Sequence, residues 1–170
     1  MFWEELNVND FAASVETCKG VCLFPMGCLE KHGNHLPLGT DILLSREVAA
    51  RAAALEEVMI FPSYPLGIVA EVKHKAGTIA VSSQLQYQVL EAIFDEIARN
   101  GFKKILIVSG HGGNTNWLQY FIMSQCEREV DYSVYSAFAY GEALAYSQPI
   151  DVVVGGATMF VLDVEQFHKL

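Results

Sequence analysis

No apolar run in this sequence approaches the roughly twenty residues needed to span a bilayer, and its first residues, MFWEELNVNDF, have neither a basic start nor an apolar signal core. Basic residues are scarce. Eleven Lys and Arg stand against twenty Asp and Glu, a formal charge of -9, so neither a nucleic-acid backbone nor an anionic membrane surface is an expected partner. A small neutral or cationic molecule fits that charge better, and the expected compartment is the cytoplasm. No CxxC pair occurs among Cys18, Cys22, Cys28 and Cys126, which are expected to be buried small hydrophobes rather than disulfides or zinc ligands. GxGxxG and GxxxxGK[ST] are both missing, which leaves a nucleotide site without support. Repeats, low-complexity tracts and Pro/Ser-rich linkers are missing too.

What the sequence does have is apolar material in short, regularly spaced blocks. Hydrophobic residues make up 52% of 170 positions and charged ones 18%, enough for a core in one domain spanning 1–170. VNDFAASVET at 8–17 has helical spacing and VCLFPMG at 21–27 is of strand length and ends in Gly. Asp41 precedes the amphipathic segment ILLSREVAARAAALEE and is expected to cap it. A second strand is expected over 58–64, a capped helix over 82–101, and the clearest strand, KKILIVSG, over 103–110. A helix to about residue 129, a strand in YSVYSAFAY and a fifth in IDVVVGG complete the reading. Helices alternating with continuous apolar strands imply an α/β fold, a three-layer α/β/α sandwich around a mostly parallel sheet. In such sheets ligands bind at the carboxyl ends of the strands.

Two polar clusters fall at that edge. In CLEKHGNHLPLGTD, directly after the first strand, Glu30, His32, His35 and Asp41 lie within twelve positions. Positions i and i+2 of an extended segment point the same way, so Glu30 and His32 can face one cavity, with Asp41 at the following helix start. Carboxylates and imidazoles together are a ligand set for zinc or manganese. The second cluster, SGHGGN at 109–114, ends the best strand with His111 and two glycines that let backbone approach a ligand. Either cluster alone also reads as a solvated polar turn. Trp3 and Trp117, with Tyr120 and Phe121, read as packing residues or a subunit contact.

Taken together, LFPMGCLEKHGNHLPLGTD and SGHGGN resemble the two signatures of the creatininase (creatinine amidohydrolase) family: E-x-H-G-x-H-L-P with a following Asp, and G-H-G-G-N. AEVKHKAGTIAVSS is similar to a family segment in which a His is followed by Gly-Thr, and the resemblance runs from about residue 3 to about residue 140. It implies two divalent metal ions, zinc or manganese, with Glu30 on one, His32 on the other, Asp41 bridging both and His111 on the first. It further implies hydrolysis of a non-peptide C–N bond in a small, sometimes cyclic amide, through a water bridging the metals. His35 and Asn114 are expected to hold ligands in place, His74 to line the pocket, and Glu71 and His74 to serve as acid–base groups. Rings of subunits, commonly hexamers, are the family's usual assembly.

One ligand departs from the pattern. The family supplies a further carboxylate either two residues after the second-motif His or in a later H-x-G-x-x-E-T-S stretch. The first position here is Gly113, and in VVVGGATMFVL the places of His and Glu are held by Val154 and Met159. Three explanations stay open: another acid such as Glu142, Asp151 or Glu165 completes the site, the sequence is truncated or divergent after about residue 140, or it is a degenerate relative that serves as a binding or assembly module.

Overall fold

A computed structural model describes residues 1–139 together with 153–154 and 157–158. Four parallel strands, β1 (Val21–Met26), β2 (Met59–Ile60), β3 (Lys104–Ser109) and β4 (Ser133–Phe138), form a sheet in the order β2-β1-β3-β4. Three helices connect them, α2 (Thr40–Ala53), α3 (Ser83–Arg99) and α4 (Thr115–Ser124), and a further helix, α1 (Val8–Thr17), precedes β1. Single 3-10 turns lie at Trp3–Glu5, Ala70–Val72, Gly112–Asn114 and Gln125–Glu127.

Strand alternation divides the core into two layers. Cys22, Phe24 and Met26 of β1, Met59 of β2 and Ile105 and Ile107 of β3 face α1, α3 and α4, where Phe94, Phe102 and Phe121 are fully buried. Leu23, Ile60, Leu106 and Val108 point the other way, onto Val48 and Ala49 of α2. Burying each large apolar side chain stabilises the fold by about 1.5–3 kcal/mol, so the aromatic layer is the main apolar anchor. Trp3 packs at 4.5–5.5 Å centroid distance from Phe11, Phe61 and Phe102, and Trp117 stacks on Phe121 at 5.4 Å, so both tryptophans are packing residues. Helices on both sheet faces make this the three-layer α/β/α architecture expected from the sequence.

Several boundaries differ for local reasons. The second strand pairs only over Met59–Ile60, because an extra residue is fitted opposite β1: Phe61 donates to the Leu23 carbonyl, but Tyr64, three residues on, donates to Pro25. The helix after the second polar cluster ends at Ser124 and tightens into the 3-10 turn Gln125–Glu127. Asn7 and Ser82 cap α1 and α3 through side-chain oxygens, whereas α2 starts from Gly39 with no side-chain cap. Asp41 therefore is not the cap expected of it. It lies inside the first turn of α2 and its carboxylate points away from the helix, toward two histidines. The expected fifth strand is, in its described part, β5 (Val153–Val154), paired antiparallel with β6 (Ala157–Thr158) in a separate ladder rather than added to the parallel sheet. Glu142, Asp151 and Glu165 lie outside the described residues.

Candidate metal centre

The order β2-β1-β3-β4 reverses direction between β1 and β3, since the chain leaves β1 for one side and returns to the other. A crevice opens outside the carboxyl ends of two strands at such a switch point. Gly27 and Gly110 follow β1 and β3 there, and the Gly110 amide donates to the Met26 carbonyl at 2.8 Å. Neither position has room for a side chain. A Cβ on Gly27 would overlap the backbone of Asp41 and Ile42, and one on Gly110 would overlap the Asp41 carbonyl oxygen. Two glycines thus let the first turn of α2 settle directly onto the strand ends, which is how Asp41 reaches the crevice.

Four donor atoms, from Cys28, Glu30, Asp41 and His111, lie within 4.8 Å of one another. His111 Nδ1 is 2.9 Å from Asp41 Oδ2 and 3.1 Å from Glu30 Oε1. His32 Nε2 is 2.9 Å from the other Asp41 oxygen, Oδ1, and 3.7 Å from Glu30 Oε1. The remaining nitrogen of each histidine is turned to a backbone carbonyl: His111 Nε2 lies 2.9 Å from Ile68 O, and His32 Nδ1 3.3 Å from Glu30 O. A carbonyl only accepts, so those nitrogens carry the N–H, and Nδ1 of His111 and Nε2 of His32 are left to face the carboxylates. Histidines that ligate metals are held this way.

The charge balance points in the same direction. The Asp41 side chain is only 3% exposed, and among the described residues no Lys or Arg pairs with it or with Glu30. Two carboxylates gathered in a buried crevice need a positive partner, and here only the imidazoles can supply one short of a bound cation. Burial works against an imidazolium at His111. The Asp41 hydrogen bond, the Ile68 carbonyl and the charges of Asp41 and Glu30 nevertheless hold its pKa above the ordinary histidine value. Burial, followed by the Asp41 charge and hydrogen bond, pushes the Cys28 thiol far up, so it stays protonated and donates to Asp41 Oδ2 at 3.2 Å. The donor set, two carboxylates, two oriented imidazoles and a thiol, fits a divalent cation.

A buried polar frame supports the His111 side. Asn114, completely buried, accepts from the Ile68 amide at 2.9 Å and donates to Ser109 Oγ at 3.3 Å. Gln86 of α3 donates to the Gly67 carbonyl at 2.7 Å, anchoring the same strap from behind. Gly113 is occupied space rather than a vacant ligand position: a Cβ there would come within 2.5 Å of His111 Nε2 and of the Ile68 oxygen. The hydrogen bond that fixes His111 runs where the family's carboxylate would begin.

Glu30, His32, Asp41 and His111 are therefore brought together, with Asn114 behind them. Glu71, in the Ala70–Val72 turn, and His74 are exposed and make no side-chain hydrogen bond or ion pair among the described residues. His35 is likewise exposed and makes none. Sequence reasoning treated Cys28 as core filler, and it is fully buried, but it also meets the cluster. The signal was available, because the i, i+2 alternation of Glu30 and His32, carried back one step, lands on Cys28. The Ile68 carbonyl and the packing roles of Gly27 and Gly110 left no comparable mark.

Comparison with known proteins identifies relatives of the chain and of its fold. The creatininase family, described as creatinine amidohydrolase, matches residues 4–160. A creatinine amidohydrolase of Pseudomonas putida is 27% identical over 123 residues, 69% of this chain and 47% of the relative. A mycofactocin precursor peptide peptidase of Mycolicibacterium smegmatis is 32% identical over 105 residues, 56% of this chain and 41% of the relative. The chain thus spans somewhat under half the length of the curated relatives it matches. A crystal structure of a creatinine amidohydrolase has the same fold, with a TM-score of 0.73 at 22% identity over 91% of this chain and 65% of the other. From its matched length and its fold, this chain belongs to the creatininase family.

Proposed function

We propose that the protein is a metal-dependent amidohydrolase that cleaves a non-peptide C–N bond of a small amide, with two divalent cations, zinc or manganese, in the crevice between β1 and β3. One observation carries this reading: both histidines give one N–H to a backbone carbonyl and turn the other nitrogen to shared carboxylates. Glu30, His32, Asp41 and His111 would hold the ions, and the two Asp41 oxygens face different histidines, an arrangement that would let Asp41 serve both ions. When bound, such cations polarise an amide carbonyl and lower the pKa of water. Structures of the same fold described as Zn–Zn and manganese creatininases support the choice of metals.

The remaining chemistry falls to the chain itself. Asn114 and the Ile68 carbonyl fix the tautomer of His111, so its Nδ1 does not have to be reoriented when a ligand arrives. Glu71 and His74 lie on the strap between Ile68, which meets His111, and Ile79, whose amide donates to the Leu29 carbonyl. Their freedom from other partners suits them to exchange protons with a substrate over the crevice. The relatives' names span a cyclic amide and a peptide, so substrates of both kinds belong in the test.

A second reading, a fold retained as a binding or assembly module, is favoured by Gly113, where the structure leaves no room for the family's further carboxylate. Elemental analysis of protein purified without chelator, with turnover measured on a panel of cyclic amides and short peptides, separates the two. Stoichiometric zinc or manganese with amide turnover, both lost in Asp41→Ala, is the expected result. Metal without turnover selects the module. Absence of metal from the wild type, with no change in Asp41→Ala, rejects the metal centre.

A further inference from the structure

We infer that Cys28 is a ligand of the centre, and that the first cation bound sits among Cys28 Sγ, Glu30, Asp41 and His111 and is zinc in preference to manganese. The inference rests on reading the cluster as a metal centre. It adds a fourth ligand to one half of that centre.

Geometry makes the two halves unequal. Asp41 Oδ2 has two further donor atoms beside it, His111 Nδ1 at 2.9 Å and Cys28 Sγ at 3.2 Å, and Glu30 Oε1 is 3.1 Å from the same His111 nitrogen. One nitrogen, one sulfur and two carboxylates therefore converge within 4.8 Å, the number and kind of donors that a four-coordinate zinc ion takes. The other oxygen, Oδ1, has His32 Nε2 at 2.9 Å, while Glu30 Oε1 is 3.7 Å from that nitrogen. This half has fewer donors among the described residues.

Cys28 is also held in place. It follows Gly27 at the end of β1 and is completely buried, and Gly67 packs so closely over it that a Cβ on Gly67 would come within 2.8 Å of the Cys28 Cβ. The sulfur has little freedom to swing out of the crevice. Without a cation the thiol hydrogen fills the gap between Sγ and Oδ2. On binding, the S–H proton passes to solvent and the cation takes its place between the same atoms. A soft thiolate in a nitrogen and oxygen set favours zinc and cobalt over manganese.

Cobalt(II) added to the metal-free protein tests this by absorption. A near-ultraviolet thiolate-to-cobalt charge-transfer band saturating at one equivalent is expected, retained in Cys126→Ser and lost in Cys28→Ser, which still shows the visible bands of bound cobalt. Competition titrations should find zinc affinity lowered at least about tenfold in Cys28→Ser, with manganese affinity changed much less. Cobalt bound to wild type without the charge-transfer band overturns the ligand assignment and leaves the metal centre standing. No binding of cobalt, zinc or manganese overturns both. The wild-type band needs no variant to fold, so a poorly folding Cys28→Ser does not block the test.

Discussion

The two ends of the parallel sheet treat charge in opposite ways. At the amino end, Asp95 takes two hydrogen bonds from Arg128, at 2.7 and 3.0 Å, and one from Tyr132 at 2.7 Å, and Asp131 pairs with Lys103. Asp95 is 46% exposed, and Asp95 and Asp131 each pair with a cation, Arg128 also meeting Glu91 at 3.5 Å. At the carboxyl end, Asp41 is 3% exposed and, among the described residues, its carboxylate meets only imidazoles and a thiol. Exposed, self-paired charges contribute little and belong to the surface. Buried acids without a Lys or Arg are costly alone, and such a cost is sustained where a ligand supplies the missing charge.

The contrast can be broken most decisively at Asp41. Asp41→Ala is expected to remove stoichiometric metal, lowering zinc affinity by a hundredfold or more by titration, whereas Asp95→Ala should leave metal content unchanged. Next in size is the backbone contact under α2. Gly110→Ala drives a methyl into the Asp41 carbonyl and should cost about 3 kcal/mol in denaturant unfolding, with loss of metal because Asp41 is displaced; Gly112→Ala, whose Cβ would have ordinary contact with Phe138, should cost much less.

Metal loading itself should separate the two ends by a comparable amount. Zinc at about a hundred times its dissociation constant is expected to stabilise the wild type by about 2.7 kcal/mol, read as a higher Tm reversed by chelator, with no such gain in Asp41→Ala. The smallest effect belongs to the amino end. Burial opposes ionisation of Asp95, but the Arg128 and Tyr132 hydrogen bonds and the Arg128 charge hold its pKa below the model-peptide value of 3.8. A lowered folded-state pKa gives stability that is full above 3.8 and lost as the pH falls through the folded value. Arg128→Ala should therefore cost under about 1 kcal/mol at neutral pH, less in high salt, with the difference from wild type disappearing only in strong acid.

Much of the carboxyl end was readable in the chain. Glu30 and His32 share a parity after a strand, Asp41 opens a helix, and His111 follows the clearest strand, so all four could be aimed at one edge before any coordinates. Asp41 still misled: a carboxylate at a helix start ordinarily caps it, and only the crevice shows that the histidines compete successfully for its oxygens. Cys28 misled for the opposite reason, since a buried cysteine beside a strand has the same pattern whether it fills core or faces ligands.

Sequence by itself determined the alternation of strands and helices, the parallel sheet and the donors available at its carboxyl edge, because these follow from local periodicity and residue chemistry. Tertiary structure alone decided which donors meet. Gly27 and Gly110 matter through what α2 does above them, Gly113 through a hydrogen bond between residues 43 positions apart, and Cys28 through Asp41, 13 positions away. Such contacts are set by the packing of a helix on two strand ends, and no pattern along the chain encodes them.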